Sequence, residues 1–177
     1  PFLPTFAGGL VGYFSYDYLK YAEPSLRLDA EDTEHFKDVD LMLFDKVIAF
    51  DNLKQKIILI VSIDLAEADS AYRKAERELE NLIRLIRDGV EREEPAGALR
   101  SEFRPLFDEP QYCAIIERAK HHIHEGDIFQ IVLSNRLEAD YEGSLLNCYR
   151  MLRTLNPSPY MFYFSGTDVE VAGASPE

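Results

Sequence analysis

The chain has 177 residues, of which 46% are hydrophobic, enough to form the core of one domain. Its formal net charge of −13, from 32 acidic and 19 basic residues, repels nucleic-acid phosphates and anionic membrane surfaces and disfavours both as partners. No apolar run approaches the roughly 20 residues that cross a bilayer, so we expect no membrane-spanning segment.

The first 64 residues are predicted to be mostly β-structure. Three segments have the composition of strands: 10–17, 41–51 and 56–64. Gly8 and Gly9 precede the first strand, where glycine allows close approach of another backbone. The polar residues 20–38 predict a surface loop, and residues 52–55 predict the turn of a hairpin between the second and third strands.

Apolar residues recur at three- and four-residue steps in three later segments. This spacing predicts amphipathic helices over 66–88, 108–126 and 144–155. The second helix has the clearest boundaries, because Asp108 and Gln111 have capping-box spacing and Gly126 is suited to its end. Ser144 is expected to cap the third helix.

Residues 89–101 form the best linker candidate, because they are rich in glutamate and contain Pro95 and Gly97. We therefore expect one region over 1–100, with a strand, a hairpin, a long helix and the linker, and a second region over 101–177. The composition is equally compatible with a domain boundary and with a flexible connection inside one fold.

The second region contributes three further strand candidates: 127–137, 160–164 and 169–173. In the first of them apolar residues alternate from Phe129 to Leu137. The polar residues of its other side fit a wet cavity or an exposed sheet face, and the exposed face is favoured. Because strands outnumber helices and hairpins recur, the predicted fold is α+β, with largely antiparallel β-sheets packed with helices.

Two groups of possible metal ligands have simpler explanations. His121, His122 and His124 lie in the last turn of a predicted helix, where imidazolium interacts favourably with the helix dipole, and no third metal ligand is evident. Cys113 and Cys148 lie among apolar neighbours, which favours buried free thiols over a disulfide or a metal pair. Free thiols indicate a reducing cytoplasm.

The most informative stretch is Asn156-Pro157-Ser158-Pro159-Tyr160-Met161-Phe162. Its two prolines stiffen a turn and leave backbone carbonyls free to accept hydrogen bonds from an ammonium group. Tyr160 and Met161 can form the wall of a pocket for a flat aromatic ligand. From these residues alone, a rigid helix-to-strand connection whose side chains fill the core is the favoured explanation.

Four stretches stand out together along the chain: Phe6–Asp17, Gly126–Ser134, Asn156–Phe162 and Gly173–Glu177. Their order and spacing resemble the large subunits of anthranilate synthases, which are chorismate-utilising enzymes, over essentially the whole chain. The first and last stretches are shared with aminodeoxychorismate and isochorismate synthases. The third resembles the tryptophan-feedback segment of anthranilate synthases and discriminates between these enzymes.

The resemblance implies an enzyme that binds chorismate and Mg²⁺, adds ammonia to the ring and eliminates pyruvate to leave anthranilate, the first committed step of tryptophan biosynthesis. A glutamine amidotransferase subunit would supply the ammonia. Tryptophan would act as an inhibitor at a separate allosteric pocket, in contact with Pro159, Tyr160 and Met161. Asn156 and Ser158 would shape the turn beside it.

The same resemblance places the chorismate-binding segments and the two magnesium-binding glutamates outside this chain, so we assign no catalytic residue or metal ligand to it. Gly173, Ser175 and Glu177 are expected either to border the substrate cavity of a complete enzyme or to form a structural turn.

The abrupt start at Pro1 indicates an excerpt, which we expect to be inactive by itself and to self-associate. Two alternatives stay open. One is a fragment of an aminodeoxychorismate or isochorismate-type synthase, and the other is a stand-alone amino-acid-binding module.

Overall fold

The structure is a computed structural model that describes residues 3–27 and 32–175. The chain divides into two compact units, Pro1–Arg92 and Glu93–Glu177. The division lies inside the segment 89–101, whose composition predicts a linker.

The first unit contains two antiparallel pairs of strands. The four strands are β1 (Gly9–Phe14), β2 (Val39–Phe44), β3 (Lys46–Asp51) and β4 (Lys56–Val61). β1 pairs with β2, and β3 pairs with β4. Residues 52–55 connect the second pair, with Gln55 at a φ of 52°, so the hairpin predicted at this position is confirmed.

The single strand predicted over 41–51 is wrong. The chain leaves extended pairing at Asp45, and the strands on its two sides, β2 and β3, pair with different neighbours. The Asp45 carbonyl accepts a hydrogen bond from the Ser62 amide at 2.7 Å. Composition does not reveal this break, because the apolar residues continue through both strands.

The strand predicted over 10–17 ends early, at Phe14. The chain then forms a 3₁₀ turn over Tyr16–Tyr18 and one helical turn, α1 (Leu19–Ala22). The predicted loop over 20–38 therefore begins as helix.

Asp38, just before β2, holds this turn in place. Its carboxylate accepts a hydrogen bond from the Tyr21 hydroxyl at 2.7 Å and lies 2.6 Å from the Lys20 ammonium. Its carbonyl accepts a hydrogen bond from the Ser15 amide at 2.8 Å. One residue thus ties the end of β1 and helix α1 to the start of β2.

A long helix, α2 (Ala68–Asp88), packs against β4. Asp64 caps the short 3₁₀ turn before it by accepting a hydrogen bond from the Ala66 amide at 2.9 Å. Ala75 is buried, whereas Tyr72, which the helical spacing places on the same apolar stripe, is 60% exposed.

The second unit combines two helices with three antiparallel pairs of strands. Its elements are β5 (Ala98–Leu99), β6 (Arg104–Pro105), α3 (Glu109–Glu125), β7 (Leu137–Glu138), β8 (Tyr141–Glu142), α4 (Leu146–Leu155), β9 (Tyr160–Ser165) and β10 (Glu170–Ser175). β5 pairs with β8, β6 with β7, and β9 with β10. Every strand pair in the described residues is antiparallel and helices accompany them, so the predicted α+β class is confirmed.

Helix α3 has the predicted ends. The Asp108 carboxylate accepts a hydrogen bond from the Gln111 amide at 2.9 Å, and the Gln111 side chain accepts one from the Asp108 amide at 3.0 Å. Gly126 ends the helix in the left-handed conformation, with a φ of 81°.

The strand predicted over 127–137 is wrong except for its last residue. In the described part of the chain no strand pairs with residues 127–136, and Phe129 is fully exposed. Side chains hold most of this backbone instead, because the Tyr112 hydroxyl donates to the Leu133 carbonyl at 3.0 Å and Asn135 bonds both backbone groups of Phe107. Next to β7, the Arg136 carbonyl accepts a backbone hydrogen bond from the Leu106 amide at 2.8 Å. Alternating apolar residues predict a strand, but a strand also needs a neighbour that supplies backbone hydrogen bonds.

The predicted burial of Cys113 and Cys148 is wrong, although both thiols are free. Both side chains are exposed, because α3 and α4 are covered on part of their surface only. The Cys148 sulfur lies 3.2 Å from the Tyr141 hydroxyl, and this contact raises the pKa of Tyr141 to about 12.

Candidate functional site

The proline segment forms an exposed corner between α4 and β9, the residues 156–159. Helix α4 ends as the Asn156 amide donates to the Leu152 carbonyl at 2.9 Å. The Ser158 hydroxyl then donates to the Tyr160 carbonyl at 2.8 Å, at the first residue of β9. Because Pro157 and Pro159 have no amide hydrogen, the turn is held by these bonds and by the fixed ring geometry.

Tyr160 and Met161 do not form one flat wall. They are consecutive residues of β9, and successive side chains of a strand point to opposite faces. Tyr160 is 65% exposed, whereas Met161 is half-buried. The two side chains therefore lie on opposite faces of β9 and offer a ligand two separate surfaces.

Helix α4 covers the Met161 face of the β9–β10 hairpin. Met161 shares that face with Tyr163, two residues along β9, and the Tyr163 ring centroid lies 6.0 Å from that of Tyr149 on α4. The opposite face, which carries Tyr160, is the more open one.

The hairpin brings the two predicted sites together. Tyr160 lies opposite Ser175 and Phe162 lies opposite Gly173 in the antiparallel register. Residues expected at the tryptophan pocket and residues expected at the substrate cavity are thus cross-strand neighbours on one face. Glu177, the third residue expected at that cavity, lies outside the described residues.

Phe162 fills the space that the absent side chain of Gly173 leaves. A Cβ atom on Gly173 would lie 2.5 Å from the Phe162 ring. Phe162 was not among the predicted site residues. Two features of the sequence could have identified it: its two-residue spacing from Tyr160, and a glycine on the opposing predicted strand. Its ring is 48% exposed, so it contributes an apolar surface beside Tyr160.

Glu170 is a second residue that sequence analysis missed. Its carboxylate accepts hydrogen bonds from the Leu145 amide at 2.7 Å and the Tyr163 hydroxyl at 2.8 Å. These two bonds, the first being the stronger cause, hold the pKa of the Glu170 carboxyl below its ordinary value. No local pattern marks this residue, because its partners lie 25 and 7 positions away in the sequence.

The histidines take part in local pairs. His122 Nδ1 lies 2.8 Å from the Asp127 carboxylate, and His121 lies 4.0 Å from Glu125. Among residues 3–27 and 32–175, no three His, Cys, Asp or Glu side chains come together as a metal site. The side chains of these residues therefore do not fit a magnesium site.

A cleft of about 510 Å³ lies in the first unit, between the β3–β4 hairpin and α2. Its lining includes Lys46, Lys74 and Glu78, and the Lys46 ammonium lies 2.9 Å from the Glu78 carboxylate. Within the described residues, no helix has the length and apolar character needed to cross a membrane.

In the second unit, an exposed, proline-stiffened corner thus leads into an antiparallel hairpin within an α+β fold. The family model described as chorismate binding enzyme matches residues 2–177. The chain belongs to this family, and the resemblance derived from its motifs is confirmed.

Among relatives, the chain is similar to anthranilate synthase component 1 of Pseudomonas putida, with 38% identity over 184 residues. It is also similar to component 1 of Saccharomyces cerevisiae, with 36% identity over 183 residues. These matches cover 100% of this chain but only 37% and 36% of the relatives. The crystal structure of anthranilate synthase component I from Streptococcus pneumoniae has a TM-score of 0.75 and 29% identity, and covers 98% of this chain and 39% of that chain.

Proposed function

We propose that the protein to which this chain belongs is the chorismate-aminating subunit of anthranilate synthase. It converts chorismate and ammonia into anthranilate and pyruvate, the first committed step of tryptophan biosynthesis. The observation that carries this proposal is the match to anthranilate synthase component 1 relatives along the whole chain, at 38% identity. The chain itself supplies part of the fold and is inactive alone.

In this proposal the corner is a feedback site for tryptophan. Pro159, Tyr160 and Met161 contact the amino acid, and Asn156 and Ser158 hold the turn. The bond from the Ser158 hydroxyl to the Tyr160 carbonyl supports the positioning role of Ser158. The exposure of Tyr160 supports a role in binding, because the free energy falls when a ligand covers a large aromatic side chain that was exposed to water.

Tyr160 and Met161 lie on opposite faces of β9, so their side chains make different contacts with the ligand. Met161, on the face toward α4, offers a flexible thioether that can contact an indole ring. Tyr160, beside Phe162, offers aromatic surface on the open face. The proline carbonyls of the corner are acceptors for the ammonium group of the ligand.

The complete enzyme would have two further components. A glutamine amidotransferase subunit would supply ammonia. Glutamates outside this chain would hold Mg²⁺ through their carboxylate oxygens, and the ion would supply Lewis-acid chemistry there. The free thiols of Cys113 and Cys148 support a cytoplasmic location. Gly173, Ser175 and Glu177 border the substrate cavity.

The test is an activity assay of the full-length protein. With chorismate, Mg²⁺ and ammonium salt, anthranilate fluorescence rises with time, and it rises with glutamine only when the amidotransferase subunit is present. The 177-residue chain alone gives no signal under the same conditions. A full-length protein that folds but forms no anthranilate would contradict the proposal.

A further inference from the structure

Helix α4 lacks a side-chain cap on the residue that precedes it. Leu145 stands at the N-cap position, and its side chain has no oxygen. The first amides of a helix need acceptors, and here they come from two sources. The Ser144 hydroxyl accepts a hydrogen bond from the Leu146 amide at 3.1 Å, and the Glu170 carboxylate accepts one from the Leu145 amide at 2.7 Å.

Glu170 therefore caps the helix from a different element, β10. Its negative charge at the start of α4 is also favourable to the helix dipole. The other carboxylate oxygen accepts the Tyr163 hydroxyl at 2.8 Å, with longer contacts to Ser144 at 3.4 Å and Ser165 at 3.5 Å. One half-buried carboxylate thus joins α4, β9 and β10.

These contacts close a ring of structure. From Glu170 it runs through Leu145, along the 10 residues of α4, through the corner at 156–159, and back along β9 to Tyr163. The helix and the strand are regular and stiff, and the helix spans about 15 Å. The corner is the irregular link, so a movement of α4 against the hairpin has to be absorbed there.

We propose that Glu170 is a positioning residue for the feedback site, which fixes α4 against the β9–β10 hairpin and so holds the corner in the shape that binds the inhibitor. The inference rests on the proposed function and adds the regulation of that site. Glu170 does not touch the inhibitor and acts through Leu145 and Tyr163.

The experiment measures tryptophan inhibition in the full-length enzyme with the variants Glu170→Ala and Glu170→Gln. Loss of a charged hydrogen-bond acceptor in Glu170→Ala raises the tryptophan concentration for half-inhibition about tenfold, and kcat/KM for chorismate without tryptophan changes by a smaller factor. Glu170→Gln keeps an acceptor for the Leu145 amide, so its shift is smaller than that of Glu170→Ala. The Gln variant also preserves volume, which keeps the test usable if the Ala variant folds poorly.

The matched control is Glu142→Ala, because Glu142 pairs with Arg100 on the exposed surface of the same unit. It leaves half-inhibition within about twofold of the unaltered enzyme. The inference is overturned if tryptophan inhibits Glu170→Ala at the same concentration as the unaltered enzyme. It is also overturned if kcat/KM falls by the same factor as the concentration for half-inhibition rises. If Tyr160→Ala and Met161→Ala also leave inhibition unchanged, the feedback site itself is refuted. If those two variants weaken inhibition and Glu170→Ala does not, only the proposed role of Glu170 is refuted.

Discussion

At the scale of single residues, the second unit depends on a close fit between Phe162 and Gly173. The cross-strand pair places a large ring over a residue without a side chain, and β-strands otherwise disfavour glycine. The pairing explains why this position of β10 takes glycine, and it adds apolar surface next to Tyr160.

Gly173→Ala tests this fit. The added methyl group would lie 2.5 Å from the Phe162 ring, so the ring has to turn away from its preferred rotamer and stability falls by about 0.5–1.5 kcal/mol. Urea unfolding of the full-length protein measures the change.

The control for this variant is a double-mutant cycle. Phe162→Ala removes the ring, so Gly173→Ala costs less in that background. Equal costs with and without the ring would show that the clash is not the cause.

Asp38 provides a residue-scale prediction on pH. The Lys20 ammonium, then the Tyr21 hydroxyl, hold the pKa of the Asp38 carboxyl below its ordinary value. Because this pKa is lowered in the folded state, the ionised Asp38 carboxyl stabilises the fold at a pH above its unfolded pKa of about 3.9. This contribution is lost as the pH falls through the folded pKa.

Lys20→Met should therefore raise the pKa of Asp38, measured by NMR titration of its carboxyl carbon. Lys54→Met, which removes an ammonium group from the distant β3–β4 turn, serves as the control and leaves Asp38 unchanged. An Asp38 pKa that does not respond to the loss of Lys20 would show that the ion pair does not form in solution.

At the scale of elements, local signals predicted local structure. The capping box of α3 and its terminal glycine were predictable because all partners lie within a few residues, and the same holds for the turn at 52–55. The break at Asp45 and the missing strand over 127–136 were not, because both depend on which distant backbone is near enough to pair. Composition describes what a segment can form, whereas pairing decides what it forms.

The candidate site divides in the same way. The prolines predicted the corner, and the structure has a stiff, exposed turn at that position. Whether the side chains of Tyr160 and Met161 point the same way depends on where β9 begins, which the segment alone does not specify. Both residues lie inside β9, so the predicted single pocket wall is replaced by side chains on two opposite faces. The contacts of Glu170 span up to 25 positions, beyond the reach of any local pattern.

At the scale of the whole molecule, the chain leaves much apolar surface in water. Its accessible surface is 15117 Å², whereas two separate domains of about 10 kDa each would expose roughly 10,600 Å². Among the described residues, only Ala75 and Ala119 are buried, and each still has 8% of its surface exposed. On one face of the β1–β2 pair, Leu10 and Leu43 are cross-strand neighbours and are 62% and 71% exposed.

The isolated 177-residue chain should therefore self-associate, because covering these faces is favourable. Light scattering should give a mass that rises with concentration, and Leu10→Glu combined with Leu43→Glu should weaken the association. A monodisperse monomer across the concentration range would refute this prediction.

The central claim is that the corner at 156–159, together with Tyr160 and Met161 at the start of β9, belongs to a receptor for the end product of the pathway. Its most direct test is the tryptophan inhibition curve of the full-length enzyme, compared for Tyr160→Ala and Met161→Ala. The controls are Tyr72→Ala on α2 and Met151→Ala on α4, whose side chains are 60% and 57% exposed. We predict that each corner variant raises the concentration for half-inhibition by about tenfold or more while the controls stay within twofold. Curves for both corner variants that coincide with that of the unaltered enzyme would contradict the claim.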